Sequence, residues 1–163
     1  MTVKKVLIPG SFDPITVGHY DVIKRCSEMF DEVYVVVFQN TEKRGKGIFT
    51  GKDCFEMVKL AVNGLENVFA DITDKLVVDY AKEKGIDYII KGVRDTIDFE
   101  YEYDLFVINK DIGGYDTLFM PSLPEYKHIS STFVRDMIKY GRDITPYVPN
   151  GVAEYIDEVK ASR

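Results

Sequence analysis

The sequence predicts a doubly wound α/β fold, with a parallel sheet of five strands and helices on both faces. Three observations predict it. Short β-branched runs alternate with amphipathic stretches from one end of the chain to the other, the pattern of strands joined by right-handed helical crossovers. The run "EVYVVVF" at 32–38 is apolar nearly throughout, as a strand covered on both faces must be. No repeat or low-complexity linker breaks the alternation, and 163 residues suit one domain over 1–163.

The first strand is "VKKVLIP" at 3–9. Pro9 has no N–H to give a ladder and is expected to end it. A helix over 18–30 leads to the strand at 32–38, and the loop 39–50, "QNTEKRGKGIFT", is the one stretch of unusual composition. A helix over 51–64 and a strand "NVFADI" at 67–72 follow. Leu76, Val77, Tyr80 and Ala81 fall at helical spacing and place a helix over 75–84. "DYIIKG" at 87–92 is the fourth strand, and Phe99, Tyr103, Phe106 and Val107 set a helix over 97–112. Phe99, Tyr103 and Phe106 are expected in the core, with a contact surface between copies as the alternative. "DTLFMP" at 116–121 is the fifth strand, before helices over 131–140 and near 150–161. The architecture is Rossmann-like, and such sheets bind ligands beyond the carboxyl ends of their strands, where the strand order reverses.

Composition narrows the partners. Hydrophobic residues are 45% and charged residues 29% of the chain, and the net charge is −6. That balance suits a soluble globule and argues against a nucleic-acid partner, which would call for a basic footprint. A small anion remains possible in a local cationic pocket. Cys26 and Cys54 fit no paired-ligand spacing, so no zinc site and no disulfide is expected. The apolar part of "MTVKKVLIPG" is too short for a signal peptide. No apolar run approaches the roughly 18 residues of a membrane span. The expectation is a cytoplasmic protein with no membrane partner.

Chemistry follows the strands. After the first comes "PGSFDP", where Gly10 is expected to let backbone approach a ligand and Ser11 offers a hydroxyl. "TVGH" then sets Gly18 and His19 at the start of a helix, where unpaired N–H groups and the helix dipole favour an anion. An imidazole there can donate to a phosphate oxygen. Ser130, Ser131 and Thr132 precede the apolar pattern Phe133, Val134, Met137 and Ile138, so they too open a helix. Their hydroxyls and N–H groups can cradle phosphate, while one serine serves as the N-cap. Arg135, one turn on, either reaches phosphate or joins a surface pair. In "KGVRD", after the fourth strand, Gly92 permits close approach and Arg94 brings a planar cationic fork. No Ser-His-Asp or Cys-His arrangement is evident.

The motif Thr16-Val17-Gly18-His19 resembles the [T/H]xGH signature of the nucleotidyltransferase superfamily, and "ISSTFVR" at 129–135 resembles its ISSTxxR signature. With "KGVRDTIDFEYEYDL" and "FMPS" between them, the ordered set is similar over essentially the whole chain to the phosphopantetheine adenylyltransferases of bacterial coenzyme A synthesis. The resemblance implies transfer of AMP from ATP to 4'-phosphopantetheine, giving dephospho-coenzyme A and pyrophosphate. It implies an ATP site of Ser11, Phe12, His19, Gly92, Val93, Arg94, Glu102, Tyr126, Lys127, His128, Ile129, Ser130, Ser131 and Thr132. It implies acceptor contacts at Ser11, Lys43, Leu76, Val77 and Lys91, where the family more often has arginine at 91. The family's Asn-x-x-Lys element is matched by Asn40 and Lys43, with Lys46 as a rival in a longer loop.

By the same resemblance His19, Lys43 and Ser11 are catalytic, magnesium accompanies the triphosphate without a dedicated protein site, and the protein is a homo-oligomer, usually a hexamer. The acceptor is an ionised phosphate, so no base is needed to make a nucleophile. The chain's task is to hold two polyanions in line and to neutralise charge at the α-phosphate. A sister enzyme with another acceptor and a non-catalytic nucleotide-binding module are the other readings.

Overall fold

The computed structural model describes residues 2–39 and 48–163; Asn40, Lys43 and Lys46 lie outside the described residues. Five strands, β1 (Lys5–Gly10), β2 (Glu32–Phe38), β3 (Val68–Thr73), β4 (Tyr88–Val93) and β5 (Thr117–Pro121), pair in the order β3-β2-β1-β4-β5. Every pairing is parallel. The helices are α1 (Val17–Met29), α2 (Gly51–Val62), α3 (Val77–Lys84), α4 (Thr96–Gly113), α5 (Ser131–Lys139) and α6 (Val152–Ala161). The expected elements all appear, with no end moved by more than two residues. The chain starts in the middle of the sheet, builds outward to β3, then returns to the other side of β1. The strand order therefore reverses between β1 and β4, which is where such a sheet opens a crevice.

Alternation along the strands divides the core. Val6 and Ile8 of β1 and Val33, Val35 and Val37 of β2 pack with Ile23, Met57, Val58, Val134 and Ile156 of the helices on one face. Leu7 and Val36 turn to the other face and pack with Tyr80, Ala81 and Ile86. Val35 and Val36 are both fully buried, as a strand apolar on both sides requires. Each such side chain contributes about 1.5–3 kcal/mol of burial.

Pro9 does not end β1. The strand runs on to Gly10, with Pro9 paired to Val36 and Gly10 to Val37. The carbonyl of Pro9 accepts from Lys91 Nζ of β4 at 3.3 Å, so the missing N–H falls on the β4 side. Pairing with β4 involves only Val6 and Leu7, and no ladder bond is lost there.

Helix α4 departs from the expectation of core. None of its residues is buried, and Phe99 and Tyr103 are 44% and 48% exposed. Phe99 packs on Phe119 of β5 and Tyr103 on Phe106. The spacing fixed a helix with an apolar stripe; it could not say what covers the stripe. The small cluster on this face of the sheet is closed by α3.

Candidate active site

At the reversal point the structure opens a cleft of about 540 Å³. The starts of α1 and α5 line it, together with one side of α4.

Thr16 is the N-cap of α1, and its hydroxyl accepts from His19 N at 3.3 Å. His19 Nδ1 in turn accepts from the backbone N–H of Thr16 at 2.9 Å and lies 3.1 Å from Thr16 Oγ1. Desolvation, then the nearby charges of Lys91 and Arg94, push the imidazole down to about 4. At neutral pH the ring is therefore uncharged, with Nδ1 turned to the Thr16 N–H. Phe12 meets the ring edge-on, with centroids 5.2 Å apart.

Phe12 itself has φ 48, in the left-handed region, and is 3% exposed. Its ring covers Gly10, where a Cβ would stand 3.0 Å from Phe12 Cε2. The need for glycine at 10 thus comes from Phe12 as well as from any ligand. At Gly92 a Cβ would stand 3.3 Å from Val22 Cγ2, so that glycine lets α1 press against β4.

The second signature arrives on α5. Ser130 Oγ accepts from Phe133 N at 3.0 Å, as an N-cap. Ser131 Oγ donates to the carbonyl of Pro14 at 2.8 Å, and Arg135 donates to the carbonyl of Asp13 at 2.6 Å and to Thr132 Oγ1 at 3.0 Å. Arg135 therefore clasps the loop after β1. The hydroxyl proton of Ser131 is engaged by Pro14. The hydroxyl protons of Ser130 and Thr132, and the first N–H groups of α5, are the donors left for an anion.

The same cleft holds two cations with acidic neighbours. Arg94 makes a two-pronged pair with Asp98, Nε to Oδ2 at 2.8 Å and the second prong at 3.2 Å. Lys91 Nζ lies 3.3 Å from Glu102 Oε2, but out of line for a hydrogen bond, leaving that buried oxygen without a partner. Both cleft carboxylates are thus balanced by a cation. Among the described residues no three His, Cys, Asp or Glu side chains gather as a metal cage.

Of the residues the sequence singled out, Ser11, Phe12, His19, Val77, Lys91, Gly92, Arg94, Glu102, Ile129, Ser130, Ser131 and Thr132 line this one cleft. Leu76, Val93, Tyr126, Lys127 and His128 do not. Leu76 is the N-cap of α3 and is 61% exposed. Val93, next to Gly92, is at the last position of β4. His128 meets Phe133 edge-on. Tyr126 approaches Gly18 from the side, its Cβ 3.7 Å from where a Gly18 Cβ would be.

Sequence reasoning missed Thr16 as a contact of His19, and a stripe of α4: Asp98, Tyr101, Leu105 and Asn109 also line the cleft. Their spacing of three and four was available as a signal. The neighbouring aromatic stripe drew the helical reading instead. Cys26 and Cys54 are free and buried, and burial raises the thiols to about 11 and about 12, so neither is a nucleophile at neutral pH.

Residues 7–137 match the family model described as cytidylyltransferase-like. The phosphopantetheine adenylyltransferase of Corynebacterium diphtheriae is 41% identical over 155 residues, 95% of this chain and 97% of that protein. The phosphopantetheine adenylyltransferase of Limosilactobacillus reuteri is 40% identical over 93% of this chain and 87% of its own length. A solved structure of a protein from Vibrio parahaemolyticus superposes with a TM-score of 0.72 at 20% identity, covering 96% of this chain and 93% of that one. It establishes the fold.

Proposed function

The chain belongs to the phosphopantetheine adenylyltransferase family, within the cytidylyltransferase-like nucleotidyltransferases, and from that premise we propose how it moves the adenylyl group of ATP onto 4'-phosphopantetheine. The products are dephospho-coenzyme A and pyrophosphate. An oxygen of the acceptor phosphate attacks the α-phosphorus, the bond to the β-phosphate oxygen breaks, and pyrophosphate leaves with that electron pair. No covalent adenylyl-protein forms.

The observation that carries this reading is that His19 and the Ser130–Thr132 turn, more than a hundred positions apart, line the same cleft. Two helix starts aimed at one space suit a triphosphate, whose charge they meet with N–H groups. His19 donates from Nε2 to an α-phosphate oxygen as negative charge grows there. Ser11 orients the attacking phosphate, and Lys91 balances it. Arg94 and the α5 start hold the departing pyrophosphate, with Arg94 trading Asp98 for phosphate oxygens. Glu102, with its unpartnered Oε2, takes a donor from the adenosine end. Lys43, outside the described residues, joins His19 at the reacting phosphorus. The uncharged arm of the acceptor runs along Val77 and α4.

Magnesium enters as part of the substrate MgATP, carried on phosphate oxygens, since Asp98 and Glu102 already face cations. The protein works in the cytoplasm as a homo-oligomer, a hexamer by its family, with the uncovered apolar side of α4 as a contact surface. No helix among the described residues is long and apolar enough to cross a membrane.

The test is pyrophosphate release from MgATP with a panel of acceptors. Release with 4'-phosphopantetheine and none with nicotinate mononucleotide or glycerol phosphate is expected. Release with one of those acceptors and none with phosphopantetheine overturns the reading. Binding of ATP without turnover on any acceptor would identify a nucleotide-binding module.

A further inference from the structure

We propose that Thr16 is a positioning residue for His19, holding the imidazole in one orientation and in the tautomer whose proton is on Nε2. The proposal rests on the reading of His19 as the group that acts on the α-phosphate. It deepens that reading by naming what keeps the group ready.

The geometry is a closed local circuit. Thr16 Oγ1 accepts the backbone N–H of His19 at 3.3 Å, which uses a lone pair and leaves the hydroxyl proton free. That oxygen lies 3.1 Å from Nδ1, and the backbone N–H of Thr16 points at the same nitrogen from 2.9 Å. Two donors therefore converge on Nδ1. A proton on Nδ1 would face both, so the neutral ring keeps its proton on Nε2. In an ordinary capping box the third residue is a Glu or Gln that only accepts from the cap. Here that place is held by the imidazole, so the bonds that start the helix also orient the ring.

Burial supports a role through His19. Thr16 is 1% exposed, the only polar residue in the buried set of the described chain. Phe12 packs on the ring in a T-shaped contact, and the charged groups near it are Lys91 and Arg94 of β4 and its following loop. None of these is placed to accept a proton from Nδ1. A helix cap alone would need only the hydroxyl oxygen as acceptor; the ring contact asks for its proton as well.

Two measurements test this, on the full chain. The first reads the ring nitrogens of His19 by proton–nitrogen correlation at neutral pH without substrate. The sequence has only two histidines, so His128→Gln assigns the signals. An unprotonated Nδ1 and a protonated Nε2 are expected; a proton on Nδ1 overturns the proposal whatever the enzyme's acceptor. The second is steady-state pyrophosphate release for Thr16→Val and Thr16→Ser. Valine keeps the shape and loses the hydroxyl, and kcat should fall roughly 10- to 100-fold with the KM for ATP changed less than about threefold. Serine should restore kcat to within about threefold of wild type.

A folded Thr16→Val protein with wild-type kcat, or serine and valine variants equally impaired, overturns the proposal. If the valine variant does not fold, the wild-type tautomer and serine's near-normal kcat are the supporting results, and their reversal the refuting ones. Should phosphopantetheine prove not to be the acceptor while Nδ1 is unprotonated, the proposed reaction falls and the hold of Thr16 on the ring stands.

Discussion

The hydroxyl of Ser131 donates to the carbonyl of Pro14 at 2.8 Å across 117 positions of chain. With Arg135 donating to the neighbouring Asp13 carbonyl at 2.6 Å, it ties the start of α5 to the loop that leads into α1. The starts of α1 and α5 are therefore held in register by direct bonds. Arg135→Ala removes the charged half of this clasp. The variant should lose about 1–3 kcal/mol of stability and bind ATP several-fold more weakly. Chemical denaturation and nucleotide titration check both; unchanged ATP affinity would show that the clasp does not position the nucleotide.

His19→Ala should leave ATP binding within about threefold of wild type while kcat falls by roughly 10²- to 10³-fold, the size of losing one aligned donor at a developing charge. Single-turnover kinetics with saturating substrates is the measurement. An unchanged kcat removes His19 from the reaction.

The low pKa of His19 has a pH signature in stability. Its folded value is about 4 against an ordinary 6.5, because burial disfavours the charged ring. Between those values the unfolded chain binds a proton that the folded chain refuses. Stability from this residue is thus whole above pH 6.5 and declines as pH falls from 6.5 to 4, by at most roughly 3 kcal/mol. Below pH 4 both states are protonated and the decline stops. Denaturation at pH 7 and pH 4.5 should show a larger acid loss for wild type than for His19→Gln; equal losses would contradict a ring held neutral in the fold.

On α4, Ile97, Ile108 and Ile112 are each more than half exposed. Ile108→Glu should lower the mass seen by light scattering while changing the stability of the isolated chain by less than about 0.5 kcal/mol. A wild-type protein that runs as a monomer, or a variant whose assembly is unaltered, would exclude this surface from self-association.

Much of the site was legible because its chemistry lies where strands end. His19, Arg94 and the 130–132 turn each follow an apolar run or open one, so local pattern and turn chemistry locate them. What was not legible depends on which side of a helix meets which neighbour. Phe99 and Tyr103 have core spacing yet lie on the uncovered side of α4, whereas Asp98, Tyr101, Leu105 and Asn109 turn into the cleft. Pro9 misled for a related reason: its missing donor matters only if a strand faces it, and β4 has stopped pairing there. The engagement of Arg135 by a backbone carbonyl of a distant loop leaves no trace in spacing at all.

In the proposed mechanism this chain positions two phosphates for direct displacement and takes no covalent part. The stereochemical course at the α-phosphorus decides between the two routes, using ATP made chiral there with sulfur and 4'-phosphopantetheine as acceptor. One in-line attack predicts inversion of configuration in the dephospho-coenzyme A formed; retention would mean two displacements through an adenylyl-protein and would refute direct transfer.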